Sequence, residues 1–137
     1  MILKRKEDLE TFNDLFHDEF FNVDEIIYDK DKGHLILPFF KLDYDKAVVI
    51  KKILFLKKKR IPLVKYEISF SNVISYKLFD TEKIGLYDFN VISYLEKEGL
   101  LKIISSIPLE LEINVSSLEI EISLINEINE FKIKYIL

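Results

Sequence analysis

The spacing of apolar residues changes near residue 22 and divides the chain into a helical start and a strand-like remainder. From Leu9 to Phe20 apolar residues recur every three or four positions, which is the spacing of one helix face. We therefore predict a helix that begins near Leu9 and ends at Phe21 or Asn22. The apolar stripe of this helix consists of Leu9, Phe12, Leu15, Phe16 and Phe20.

Beyond the helix, apolar and polar residues alternate, as they do in strands with one buried face. The longest alternation covers residues 64–78, with a bend expected near Asn72. Residues 109–115 also alternate, but at Ser116 and Ser117 the apolar residues change from odd to even positions. Because a shift of one residue turns the buried face of a strand outward, we predict a bulge or a turn there. Further strands are expected at residues 23–28, 34–40, 100–104, 118–124 and 131–135, and residues 88–95 form a short apolar-rich element. Residues 48–56 fit either a strand or a short helix, and their β-branched residues favour the strand. The total is roughly seven to nine strands.

Short polar segments separate these strands, and we predict turns at residues 29–33, 57–60 and 96–99. Few of the connections are long enough for a crossover helix, so the strands should pair antiparallel. The chain is therefore expected to be a single domain over residues 1–137, of the mainly β (α+β) class. Its N-terminal helix should pack on an antiparallel sheet that forms a sandwich or an open barrel.

Composition restricts the chemistry that the chain can perform. It has no cysteine, which excludes thiolate catalysis and disulfide bonds. It has two histidines, which are too few ligands for the usual zinc sites. There is no serine-nucleophile motif and no glycine-rich phosphate loop, since the chain has three scattered glycines. We therefore predict no catalytic residue, no metal and no cofactor.

The two histidines are the one basis for a catalytic hypothesis. His17 precedes Asp18 and Glu19, and His34 opens a predicted strand. If folding brought the two imidazoles together, they would form a general acid–base pair. A calcium loop from residue 29 onward is rejected, because its glycine is fifth rather than sixth and its twelfth residue is not glutamate.

Charge is unevenly distributed along a chain whose net charge is −4. Residues 46–60 contain 7 bases and no acid, with Phe55 among the lysines. Such a cluster suits phosphate contacts and base stacking, yet the acidic net charge argues against nucleic acid, and a solvated turn is the competing interpretation. The cluster consists of Lys51, Lys52, Lys57, Lys58, Lys59 and Arg60.

The first 45 residues contain 12 acids and 6 bases and form the other charged region. Acidic residues near the helix and the first hairpin could steer a basic partner protein by charge complementarity, with ordinary solubility as the competing interpretation. The predicted partner-binding residues are Asp14, Asp18, Glu19, Asp24, Glu25, Asp29 and Asp31.

The start of the chain resembles the opening of small bacterial immunity proteins. The segments that carry this resemblance are residues 15–18 (Leu-Phe-His-Asp), Tyr28-Asp29 and the glycine turn into residues 35–37. Residues 68–73 and 88–92 are similar to the middle of that group, and residues 109–122 to its last strands. The resemblance implies a non-enzymatic all-β or α+β domain that binds and blocks a cognate toxin, with His17 and Asp18 in a structural role. The chain departs from the group in having neither cysteine nor tryptophan.

These observations predict a protein-binding module, immunity-like or inhibitory, that acts by surface complementarity. A nucleic-acid-associated domain using residues 51–60 and an enzyme built on the two histidines are the alternatives. The expected partner is another protein, such as a cognate toxin or effector, and pairing of an exposed edge strand would make a homodimer. Without a signal sequence or a membrane-spanning apolar run, a cytoplasmic location away from membranes is expected.

Overall fold

The computed structural model describes residues 1–54 and 56–136, with side-chain surroundings for residues 1–52, 54 and 56–125. This part of the chain contains one α-helix, α1 (Leu9–Phe16), and 11 strands in one sheet. The strands are β1 (Ile2–Leu3), β2 (Phe20–Asn22), β3 (Ile27–Asp29), β4 (His34–Leu42), β5 (Val48–Ile53), β6 (Leu56–Phe70), β7 (Val73–Asp80), β8 (Leu86–Leu95), β9 (Leu100–Ser105), β10 (Leu109–Val115) and β11 (Ile120–Ile136).

All strand pairs in the described residues are antiparallel, and the sheet is open. The main path runs in the order β1-β11-β6-β4-β2-β8-β9-β10-β7, while β3 pairs with β4 and β5 pairs with β6. The prediction of a mainly β fold with its N-terminal helix on an antiparallel sheet is therefore confirmed. The two end strands of this path are β1 and β7, and β7 is the longer of the two.

An aromatic cluster holds α1 against the sheet. The ring of Phe39 in β4 lies 4.9–5.5 Å, between centroids, from the rings of Phe12, Phe16, Phe21 and Phe89. All five side chains are buried, and most of the ring pairs are tilted or edge-on, the geometries that aromatic pairs prefer. The cluster therefore ties α1, β2, β4 and β8 into one core.

The helix is shorter than predicted. It ends at Phe16, and Asp18 has a left-handed φ of 64°. The amide of Asp18 donates to the carbonyl of Phe89 at 3.1 Å, so β8 captures the chain directly after the helix. Phe20 belongs to β2, where Phe21 is the buried residue, and the helical spacing of Phe20 was therefore misleading.

The strand predicted at residues 23–28 is also wrong in its first half. Val23–Glu25 forms a 3-10 turn, because the side chain of Asn22 accepts the amide of Asp24, and β3 follows at Ile27–Asp29. The predicted turn at residues 29–33 is confirmed, with Gly33 at a φ of 64°.

The largest correction concerns residues 57–60, which were predicted as a charged turn. They lie inside β6, a strand of 15 residues, and at these positions its ladder partners are β5 on one side and β11 on the other. Ile53 pairs with Leu56, so the chain reverses between β5 and β6. Leu54 has a φ of 52°, and Phe55 lies outside the described residues. The two strands predicted at residues 118–124 and 131–135 are one strand, β11, with register shifts between them.

The break at Ser116 and Ser117 is confirmed. The chain also bends at Asn72, but residues 64–78 belong to two strands, β6 and β7, which lie apart in the sheet order, rather than to one bent strand. Asn72 has a φ of 57°, and its Nδ2 donates to the Ser117 hydroxyl at 2.8 Å. The alternation also predicted that Ile74 and Leu78 would face inward. They are 62% and 37% exposed, because β7 lies at the end of the sheet.

Candidate functional site

Each histidine lies at the end of a secondary-structure element. His17 directly follows α1, with its Nδ1 at 3.3 Å from the carbonyl oxygen of Asn90 and its Nε2 at 3.5 Å from the Asp18 carboxylate. His34 begins β4, opposite Asp29 in the β3–β4 hairpin. Both imidazoles are exposed.

The two histidines lie toward opposite ends of β4. Phe20, three residues after His17, pairs with Phe40, whereas His34 is the first residue of the strand. At about 3.3 Å per residue, the six steps from residue 34 to residue 40 correspond to about 20 Å. Neither histidine lines any of the three cavities described below. The structure therefore does not bring them together as an acid–base pair.

The predicted acidic residues form three separate groups. Asp14 lies on α1, and Asp18 and Glu19 lie just after it. Asp24 and Glu25 lie in the 3-10 turn before β3. The remaining pair, Asp29 and Asp31, lies at the β3–β4 turn, at the other end of β4 from α1.

Two of the acidic residues stabilise the fold. The Glu19 carboxylate accepts the amide of Leu42 at 3.1 Å, and the Asp29 carboxylate accepts the amide of Lys32 at 3.2 Å. Both side chains are partly buried. The exposed members of the predicted set are Asp14, Asp18, Asp24, Glu25 and Asp31.

The free edge of β7 is a feature that sequence reasoning missed. In the described part of the chain, β7 pairs with β10 alone. The Ile74 carbonyl accepts the Tyr28 hydroxyl at 3.0 Å, so it points away from β10. Ile74, Leu78 and Phe79 are 62%, 37% and 50% exposed. Alternation in the sequence cannot reveal this exposure, because it depends on the position of the strand in the sheet.

A shallow cavity of about 340 Å³ lies beside the far end of β7. Most of its lining side chains are apolar, and Phe79 forms part of its wall. It is large enough for one apolar side chain of a partner. The lining residues are Phe79, Thr81, Ile104, Pro108, Leu109 and Glu110.

The β3–β4 turn lies beside the start of β7. The Val73 amide donates to the Gly33 carbonyl at 2.9 Å, and the rings of Tyr28 and Tyr76 lie 5.2 Å apart. Asp29 and Asp31, which belong to the same turn, are therefore next to one end of the free edge.

A second charged surface, here called the basic ribbon, consists of β5 and residues 56–60 of β6. These residues include six bases and no acid. The register pairs Lys51 with Lys58, Lys52 with Lys57, and Lys59 with Lys134. The sequence revealed the charges but placed several of them in a turn, whereas the structure aligns them across a ladder.

Two further cavities, each of about 410 Å³, lie beside β4 and β6. Asp43 and Asp45 line one, and Asp24, Glu25 and Glu67 line the other, in each case together with lysine. Among the described residues, no group of three or more His, Asp or Glu is placed to hold a metal ion. Within the same residues, no helix is long and apolar enough to cross a membrane.

Comparison with known proteins places the chain in no family. No protein-family model matches it, and no curated protein and no solved structure does so either.

Proposed function

We propose that the chain is a protein-binding module, of the immunity or inhibitor type, that holds its partner by surface complementarity and without catalysis. The observation that carries this proposal is the free edge of β7 with its exposed apolar side chains. Sheet edges are usually protected by charges, proline or bulges, because an unpaired edge recruits another strand. Among the eight residues of β7, only Lys77 and the terminal Asp80 are charged, and the one register shift falls at Ile74, near the start of the strand.

The partner would present an extended segment that adds to β7 as a further strand. In this mode main-chain hydrogen bonds supply affinity, and pockets for alternate side chains supply specificity. One apolar side chain of the segment would enter the cavity beside Phe79. Burial of an aliphatic or aromatic side chain there would contribute about 1.5–3 kcal/mol.

Charge would set the direction of the added strand. Asp29 and Asp31 lie beside the start of β7, so a basic residue fits at that end of the partner segment. The other exposed acids, at residues 14, 18, 24 and 25, would accelerate association with a basic protein through long-range attraction.

The test is selection of extended peptides on the immobilised protein, followed by affinity measurement. A displayed library of peptides of about 12 residues would be panned, and the Kd of each enriched peptide measured by fluorescence anisotropy. We expect segments with alternating apolar residues and a basic end. The double variant Ile74→Lys/Phe79→Lys should weaken their binding at least tenfold.

A matched control is Ile84→Lys/Leu86→Lys, which adds the same charge at two exposed apolar residues outside β7. This control should bind the selected peptides as the wild type does. Failure to enrich any peptide, or equal losses in both double variants, would refute the proposal. A concentration-dependent dimer that Ile74→Lys/Phe79→Lys abolishes would instead assign the edge to a second copy of the chain.

A further inference from the structure

We infer that residues 23–33, here called the latch, cover the start of the β7 edge and must move before a partner strand can pair there. The latch consists of the 3-10 turn, β3 and the β3–β4 turn. This inference rests on the proposed function, because it concerns the regulation of the same edge. Its release point is the hydroxyl of Tyr28, in the middle of β3.

Two main-chain hydrogen bonds hold the latch alongside β7. At the last residue of the latch, the Gly33 carbonyl accepts the Val73 amide at 2.9 Å. At its first residue, the Val23 amide donates to the carbonyl of Gly85, in the loop after β7, at 2.9 Å. The end of the latch therefore lies at the start of β7, and its beginning lies beyond the end of β7. In the described residues β3 pairs with β4 and not with β7, so an unpaired gap separates β3 from β7.

Both of these contacts depend on glycine. A Cβ on Gly33 would lie 3.1 Å from the Val73 carbonyl oxygen, and a Cβ on Gly85 would overlap a carboxylate oxygen of Asp24 in the latch. The two glycines also have left-handed φ values, of 64° and 92°, which other residues adopt only with strain. Two of the three glycines in the chain thus permit the close approach of the latch to its neighbours.

Tyr28 spans the gap between the latch and β7. Its hydroxyl donates to the Ile74 carbonyl at 3.0 Å, and its ring packs edge-on against Tyr76 with 5.2 Å between the centroids. An added strand binds through main-chain groups of this kind, so the Ile74 carbonyl is an acceptor for a partner amide. In the free protein the Tyr28 hydroxyl occupies that acceptor. Pairing with a partner at this point therefore exchanges one hydrogen bond for another.

The rest of the edge offers a first contact that leaves the latch in place. Leu78 and Phe79 are exposed, and the cavity beside Phe79 lies toward the other end of β7 from Ile74. A segment can bind there while Tyr28 still contacts Ile74, and it gains further hydrogen bonds when the latch opens. The apparent affinity for a long segment therefore scales with the fraction of molecules in which the latch is open.

The first experiment measures amide hydrogen exchange by NMR and needs no partner. Tyr28→Phe removes the hydroxyl and keeps the ring that packs on Tyr76. Loss of one surface hydrogen bond should raise the population of the open latch, so the Val73 amide should exchange about threefold to tenfold faster. The matched control Tyr44→Phe, which removes a hydroxyl outside the latch and β7, should leave this rate unchanged.

The second experiment measures the Kd of a peptide selected as described above, both in full and shortened by about four residues, roughly 13 Å of strand, at its basic end. That end is the one expected beside Asp31 and Ile74, so the shortened peptide keeps only the contacts near Phe79. Tyr28→Phe should tighten binding of the full peptide about threefold to tenfold and leave binding of the shortened peptide unchanged. Tyr44→Phe should change neither Kd.

Unchanged exchange at Val73 in Tyr28→Phe would overturn the inference, because the hydroxyl would then not hold the latch. Unchanged or weaker binding of the full peptide, or equal tightening for both peptides, would also overturn it, because the latch would then not compete with the partner. These results leave the proposed binding at β7 standing. Failure of the wild type and Tyr28→Phe to bind any selected peptide would instead refute the proposed function, and the regulatory role of the latch with it, even if exchange at Val73 is faster.

Discussion

Tyr87 is a buried polar residue whose hydroxyl connects β8 to the loop that precedes it. The hydroxyl donates to the Asp80 carboxylate and accepts the Ile84 amide at 3.1 Å. The same carboxylate accepts the Lys83 amide at 2.9 Å. Burial, and after it the hydrogen bond to Asp80, raises the pKa of Tyr87 above its ordinary value.

Alkaline pH should therefore destabilise the protein through this residue. The raised pKa means that the folded state favours the protonated phenol more than the unfolded state does. The protonated phenol therefore contributes fully to folding stability below the unfolded pKa of about 10, and this contribution is lost as pH rises through the folded pKa. Measured as Tm from about pH 8 to about pH 12, stability should fall less steeply for Tyr87→Phe than for the wild type. The variant Tyr44→Phe, at a half-exposed site, should follow the wild type. Identical slopes in all three proteins would contradict this account.

Besides the aromatic cluster, one amide side chain joins α1 to the main chain of β8. The Asn13 Nδ2 donates to the Ile92 carbonyl at 3.2 Å, and the Asn13 Oδ1 accepts the Ile92 amide at 2.8 Å. The Asn13 side chain thus makes the two hydrogen bonds to the main chain of Ile92 that a neighbouring strand would make. Asn and Asp in a helix are usually explained by capping or solubility, so the sequence carried no signal for this role.

Replacing Asn13 with alanine should cost about 1–3 kcal/mol, because a partly buried amide and carbonyl lose their partner. The free energy of unfolding in urea measures this loss. Asp14→Ala, at the next and exposed position of the same helix, should change stability by less than about 0.5 kcal/mol. If the two substitutions were equivalent, the pair of hydrogen bonds would not hold the helix in place.

Elements were predictable where local pattern alone determines them. Alternation located Leu109–Val115, and its parity flip located the break at Ser116 and Ser117. The end of α1 was not predictable, because distant groups determine it. Lys41 donates to the Leu15 carbonyl at 3.0 Å, and the chain after the helix pairs with β8.

At the scale of the whole molecule, Phe39 contacts all four other rings of the aromatic cluster described above, which no other ring of the cluster does. Phe39→Ala should therefore cost about 3–5 kcal/mol by leaving a cavity between α1 and the sheet. Phe79→Ala, at a half-exposed site on β7, should cost far less. Calorimetry on both variants checks the contrast, and similar losses would show that the core is not centred on this ring.

The sequence predicted the fold class but not the order of the strands. Which strand becomes an edge depends on pairings between distant residues, and this order leaves Ile74 and Leu78 exposed despite their regular alternation. The three consecutive lysines at residues 57–59 were predicted as a solvated turn, and this error also comes from distant pairings. They lie in a strand because β5 and β11 pair with them, and the local sequence does not indicate those partners.

The length of β6 links two environments within a single strand. Ile68 and Phe70 lie in the buried core, whereas Leu56 and Lys57 at the other end are exposed. Because buried apolar contacts determine how much free energy is needed to open a backbone hydrogen bond, amide protons along this one strand should differ widely in protection from solvent exchange. The outer half can therefore twist or fray to fit a bound molecule while the inner half keeps its register.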